Sequence, residues 1–380
     1  MDLICFCHIR WNFVYQRPQH LMSRFSRYHR IFFIEEPVFE QTGHSRFEIN
    51  KAEDNIWIIT PHLLCSYSED EIIFQQKILL SDLHEQYNIK NYIHWYYTPM
   101  SLSISNHLQP DIIVYDCMDE LSNFKFAPPE LKQKEKELFR IADVVFTGGH
   151  SLYQAKKNSH HNIYPFPSSI EMEHFFKARS FKEEPVDQQK LPHPIFGFYG
   201  VIDERFDIEL LREIANRKPE WNFVIIGPVV KIDPASLPYA SNIHYLGGRK
   251  YEELPGYLSG WDIAMIPFLL NESTKYISPT KTPEYLAAGV PVISSSIADV
   301  VNPYGINKLV HIADNATDFI AAAEKEFLTE NKVEWLRKVD DFLKDNSWDN
   351  TWSEMNGQIN NTIKNKNHST LITKKESAYV

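Results

Sequence analysis

Ser278-Pro279-Thr280-Lys281-Thr282-Pro283-Glu284-Tyr285-Leu286-Ala287-Ala288-Gly289-Val290-Pro291-Val292-Ile293-Ser294 is the most informative stretch of the 380-residue chain. It reads as a loop entering a helix near Pro279, a stop at Gly289 and a buried strand opened by Pro291. The first turn of a helix has free N–H groups and the positive end of the peptide dipole, so it suits a phosphate. Lys281 lies in that turn, beside Ser278 and Thr280, and adds a charge suited to a diphosphate. Glu284 is one turn further on roughly the same face, where a carboxylate can accept hydrogen bonds from ribose hydroxyls. An isolated Lys and Glu would read as a surface charge pair. At the carboxyl end of a parallel sheet the same pair reads as a ligand site.

Working outward, short apolar runs alternate with amphipathic ones. In the second half the strand candidates are 195–199, 223–226, 243–246, 263–267, 292–295 and 309–312. In the first half they are 3–9, 31–35, 56–60, 92–97, 111–116 and 144–147. They are rich in Ile, Val, Phe and Tyr without strict alternation, as in parallel strands covered on both faces. Helical spacing follows Pro18, with Leu21, Met22, Phe25 and Tyr28 on one face, and again runs from about Pro129 to Ile141. Repeated strand–helix units predict an α/β protein of two Rossmann-like, doubly wound parallel-sheet domains facing a central cleft. The expected limits are 1–165 for the first domain, 166–194 for a hinge-like linker and 195–345 for the second domain. Residues 346–365 are expected to pack back as a helix toward the first domain, and 366–380 to form a frayed polar tail.

The stretch around Lys281 resembles the donor-binding signature of family-four type nucleotide-sugar glycosyltransferases with two Rossmann-like domains, the GT-B fold. The nearest likeness is to the subgroup reading Pro-x-Lys-x-x-Glu-Tyr-Leu-Ala-x-Gly-x-Pro-Val. The resemblance implies a nucleoside-diphosphate sugar, with uridine as its base, as co-substrate, with no separate cofactor. Glu284 matches the second of the family's two glutamates, and the place of the first holds Tyr276. Phe198-Tyr199-Gly200-Val201-Ile202 looks like the family's strand and glycine turn facing the diphosphate, where a small residue admits a phosphate. Arg205 follows as a second phosphate cation or a surface partner of Glu204 or Asp207. Gly248 and Arg249 sit in the loop that meets the nucleobase in the family.

The first domain is then expected to hold the acceptor and the catalytic group. Tyr115-Asp116-Cys117-Met118-Asp119-Glu120 ends a strand at the cleft edge, and Asp116 or Asp119 there can act as base or steer the acceptor hydroxyl. The spacing Asp-x-x-Asp is not the Asp-x-Asp of a metal-bound diphosphate, so no metal is expected. His8, Arg17, His20 and His150 also fall at strand ends and are candidate acceptor contacts. With 16 histidines in the chain, a structural role competes at each.

Bulk properties bound the partners. A formal net charge of −11 argues against nucleic-acid binding. Arg10, Arg17, Arg24, Arg27 and Arg30 nevertheless crowd the first 30 residues, reading as a solvated helix face or a contact for anionic lipid or a phosphate-bearing acceptor. Cys5, Cys7, Cys65 and Cys117 lack metal spacing and read as thiols in a reducing compartment. The start of the chain lacks the pattern of a signal peptide, and no apolar run is long enough to span a bilayer. These features predict a cytoplasmic protein, and the resemblance implies a saccharide or lipid-linked acceptor met at the inner face of a membrane. Three rivals compete. A nicotinamide oxidoreductase lacks its Gly-x-Gly-x-x-Gly here. A sugar-nucleotide epimerase would keep the nucleotide site, and an inactive scaffold would keep only the fold.

Overall fold

The computed structural model describes residues 1–181, 183–329 and 332–377. The first domain carries β1 (Asp2–Phe6), β2 (Ile31–Ile34), β3 (Val38–Glu40), β4 (Arg46–Glu53), β5 (Ile56–Leu64), β6 (Tyr92–Tyr96), β7 (Ile112–Cys117), β8 (Val144–Thr147) and β9 (Ile163–Pro165). The second carries β10 (Ile195–Tyr199), β11 (Asn222–Ile226), β12 (Ile243–Gly247), β13 (Ile263–Ile266), β14 (Val292–Ser294) and β15 (His311–Ile312). The first sheet runs β3-β5-β2-β1-β6-β7-β8-β9, and the second β12-β11-β10-β13-β14-β15. Pairing is parallel throughout, except that β4 lies antiparallel on β5. Chain order reverses between β1 and β6 in one sheet and between β10 and β13 in the other, opening a crevice at the carboxyl ends of each pair.

Three strands escape the sequence pattern. β4 is polar and mostly exposed, so it lacks the apolar run that marks its neighbours. β3 and β9 are three residues each, too short for a period to register. β5 also continues past Pro61, which reads as a breaker. The first helix is Arg17–Phe25, so Tyr28 lies beyond its end and is exposed rather than on its apolar face.

The expected limits of the linker and of the tail differ from those observed. Ile170, Phe175 and Ala178 are buried in the second domain's core, and the helix Met172–Phe176 packs on Lys281–Ala287. Residues 166–194 are thus partly core, because their apolar side chains have more to gain buried than in a loose hinge. The last helix spans Trp348–Ser377 and runs on through most of the expected tail. Trp348, Met355 and Ile359 anchor it beneath the first sheet with Leu21, Phe25 and Trp95. Each such burial contributes roughly 1.5–3 kcal/mol. Residues 378–380 of that tail lie outside the described residues.

The amino-terminal arginines are not a free basic patch: Arg10, Arg27 and Arg30 keep part of their surface in water, Arg17 and Arg24 are buried, and all five are ion-paired. Arg10 pairs with Glu35, Arg17 with Asp116, Arg24 with Glu171 and Asp349, Arg27 with Asp349, and Arg30 with Asp2. Most of these acids come from distant parts of the chain, which a local charge count does not see. The four cysteines are free thiols, three of them buried.

One core feature makes stability depend on pH. His94 on β6 is buried, its Nδ1 meets the Tyr96 hydroxyl at 3.0 Å, and its Nε2 has no partner among the described residues. Burial, with His84 and His107 nearby, drives its pKa from 6.5 to about 3. The folded chain therefore binds fewer protons there than the unfolded one below pH 6.5. Stability is full above that pH and is lost on acidification, by roughly 1.4 kcal/mol per pH unit. Thermal melts from pH 7 to 4 are expected to show this fall, and a flatter one in His94→Gln. Parallel wild-type and variant curves would refute the assignment.

Candidate functional site

The reversal between β10 and β13 opens onto a cleft of about 990 Å³ between the domains. From the second domain, Tyr199 and Gly200 end β10, Phe268 follows β13, and Ser278, Thr280, Lys281 and Glu284 come from the following loop and helix. The facing wall includes Tyr15, Arg17 and Asp119. That helix is Lys281–Ala287, two residues inside the expected start and stopped by Gly289 at φ +79°.

Lys281 extends over Gly200. A Cβ on Gly200 would lie 2.2 Å from Lys281 Cε, and the Gly200 φ of +141° itself requires glycine. The small residue therefore makes room for the lysine stem. The ammonium hangs 5.7 and 5.9 Å from the Phe198 and Phe268 ring centres. Burial lowers its pKa to about 8, and the Arg205 charge pushes the same way. Glu284 is buried, and the Tyr199 hydroxyl donates to its Oε2 at 2.5 Å. Burial raises its pKa to about 7, against the pull of Tyr199 and Lys281. Its Oε1 has no protein partner among the described residues.

Arg205 also lines the cleft. Its partner is Asp203, in a two-pronged contact of 2.9 and 2.6 Å, rather than Glu204 or Asp207. The other domain's Phe124 ring lies 5.2 Å from the guanidinium. Gly248 and Arg249 line an adjoining pocket of about 1560 Å³ with Ile226, Gly227 and Pro228, roofed by Trp11 and Phe13 of the first domain. Arg249 is tied there to Tyr257 and Asp187.

The two candidate aspartates part company. Asp119 lines the cleft, half-buried, with its carboxylate unpaired among the described residues. Burial raises it to about 6, while Arg205, Arg17 and Lys281 pull it down. Asp116 is fully buried beneath the lining and chelates Arg17, at 2.8 Å from Nη2 and 3.0–3.1 Å from Nε. Arg17 Nη1 also donates to the Phe166 carbonyl at 2.7 Å. Arg17 reaches the cleft only as one member of this buried pair.

The histidines scatter. His20 is buried, stacked on Trp348 at 4.7 Å and near Glu171, away from the cleft lining. His8 follows β1 with a buried Nδ1 that has no partner among the described residues, and burial lowers it to about 4. His150 is exposed and opens on another crevice, beside Asp299 of the second domain, which accepts from the His150 and Ser151 amides at 2.9 Å. The structure thus gathers Arg17, Asp119, Gly200, Arg205, Ser278, Thr280, Lys281 and Glu284 on one cleft, with Gly248 and Arg249 next to it. It places Asp116, His8, His20 and His150 elsewhere. Tyr276 packs on the first domain's core instead of lining the cleft.

Sequence reading missed Tyr199, which holds Glu284, and Asp203, which clamps Arg205. Tyr199 sits in an apolar strand and reads as core. Asp203 stands two residues from Arg205 in a turn, a spacing that a local search for acids would find.

Residues 194–328 match the family model described as glycosyl transferases, group 1. The match lies within the second domain. A Bacillus subtilis (strain 168) protein assigned to teichuronic acid biosynthesis as the glycosyltransferase TuaH is 26% identical over 250 residues. The match spans 61% of this chain and 62% of that relative, less than two thirds of its length. Among solved structures, Thermosynechococcus elongatus sucrose-phosphate synthase superposes with a TM-score of 0.69 at 13% identity, covering 96% of this chain and 99% of the other. Anabaena HepE, solved with UDP and glucose, gives 0.69 at 11% identity, over 95% and 99%. The E. coli structure bound with UDP-2-fluoro glucose gives 0.66 at 13% identity, over 96% and 99%. The whole chain has the GT-B fold, and the cleft lies where its two halves meet. No described helix is long and apolar enough to cross a membrane.

Proposed function

We propose that the chain transfers a sugar from a nucleoside-diphosphate sugar, UDP-linked, to a hydroxyl of a saccharide or lipid-linked saccharide. The observation that carries this reading is the convergence of Lys281, Arg205 and Glu284 on one interdomain cleft. A departing diphosphate gathers negative charge. Two fixed cations in a partly desolvated site stabilise that charge without reorganising. Glu284, steadied by Tyr199, offers its free oxygen to a ribose hydroxyl. The pocket beside Gly248 and Arg249 leaves room for the base. Asp119, from the facing domain, orients the acceptor hydroxyl. With charge supplied by Lys281 and Arg205, transfer proceeds without a metal. UDP appears in two of the structures that share the fold, which supports the choice of base. A lipid-linked acceptor would bring the protein to the inner face of a membrane through that acceptor, since the amino-terminal arginines are paired internally.

Calorimetry with UDP, GDP, ADP and NAD tests the donor assignment. UDP is expected to bind most tightly, and Glu284→Ala to weaken it at least tenfold. Absence of binding by all four nucleotides, or equal affinity in the variant, would remove the basis for the reading.

A further inference from the structure

The donor cleft occupies the order reversal of the second sheet, and the first sheet has a reversal of its own. At the carboxyl ends of β1, β2 and β6 there is a separate pocket of about 760 Å³. Cys7 follows β1, Glu35 and Glu36 follow β2, Thr98 follows β6, and Phe39 and Gln76 complete the wall. We propose that this pocket is a subsite for an uncharged sugar ring of the acceptor, one or more residues away from the ring that receives the transferred group.

Its chemistry fits a polyol. Gln76 is 6% exposed, and its amide nitrogen bonds only the Ile72 carbonyl of its own helix, at 3.3 Å. Its carbonyl oxygen accepts no hydrogen bond from the described residues and is not sealed from solvent, so it is available to a hydroxyl in the pocket. Glu36 stands exposed at the mouth as a further acceptor for hydroxyls. Phe39, 47% exposed, supplies an apolar face of the kind on which the C–H side of a pyranose packs. The Glu36 carboxylate at the mouth disfavours an anionic sugar, an effect that the neighbouring Arg10 charge only partly offsets because Arg10 is already paired with Glu35. Glu35 is already satisfied by Arg10, Thr60 and the Trp11 amide.

Position follows from sheet geometry. Asp119 follows β7, two strands from β1. At about 4.8 Å per strand, that is roughly 10 Å across the sheet. A sugar in the pocket is then too far for its own hydroxyl to meet Asp119, and an acceptor of at least two rings bridges the gap. The Glu35 bond to the Trp11 amide also ties this pocket to the loop that roofs the adjoining donor pocket.

The proposal rests on the glycosyl-transfer reading but is tested without nucleotide. Saturation-transfer NMR titrations would use methyl β-glucoside, methyl N-acetyl-β-glucosaminide, methyl β-glucuronide and the matching disaccharide glycosides. A neutral glycoside is expected to bind wild type, disaccharides more tightly than monosaccharides, and the glucuronide least. Gln76→Leu and the exposed variant Phe39→Ala should each weaken binding at least tenfold while leaving the UDP isotherm unchanged. No binding by any glycoside, unchanged affinity in both variants, or a preference for the glucuronide would overturn the subsite. Failure of UDP to bind wild type would sink the donor reading instead.

Discussion

Lys281→Ala is expected to lower kcat by roughly 10²–10³-fold, the scale seen when one donor to a developing anion is removed. Its melting temperature should stay the same or rise. Lys281 makes no ion pair within 4 Å among the described residues, and its ammonium is desolvated beside Arg205, so the native fold gains little from its charge. The same arrangement sets a pH profile. The ammonium, lowered to about 8, is charged below that pH and loses its proton above it. The carboxyl of Glu284, raised to about 7, becomes an ionised acceptor only above that value. The profile of kcat/KM for the donor, which reports groups of the free enzyme, should be a narrow bell between these limits. Lys281→Arg, whose charge persists, should extend the alkaline limb. Full turnover in Lys281→Ala, or a profile flat from pH 6 to 9 in wild type, would end the assignment of this lysine to the leaving group.

Opposite outcomes are expected for the two aspartates of the β7 end. Asp116→Ala strands the buried Arg17 guanidinium and should cost about 3–5 kcal/mol in chemical denaturation. Asp119→Asn should leave the denaturation midpoint nearly unchanged, because its carboxylate has no partner among the described residues and is raised by burial. Turnover in Asp119→Asn should fall roughly 10²–10⁴-fold, as when a positioned acid or base is lost. A stable Asp116→Ala with slow turnover, beside a fully active Asp119→Asn, would reverse the two roles.

The cleft is thus built from groups of two kinds. Lys281, Glu284 and Asp119 are desolvated and face open space, and their pKa values are pushed toward neutrality. Asp116, Arg17 and Asp203 are equally removed from water but have satisfied partners, so they hold the wall in place.

Much of this was legible along the chain. Runs such as Ile195–Tyr199 and Val144–Thr147 stand out because strands covered on both faces must be apolar throughout. Lys281 and Glu284 were legible because a helix's start and stop are written in neighbouring residues, and one helical turn places both side chains on one face. These are local facts, and sequence by itself determined them. Asp116 and Asp119, three residues apart on one strand end, look equivalent until Arg17 arrives from the first helix and takes only one of them. The basic cluster looks free until Glu171 and Asp349 close on it from distant segments. Which polar groups are spent on each other, and which are left facing the cleft, depends on contacts between residues far apart in the chain, and only the tertiary structure decided it.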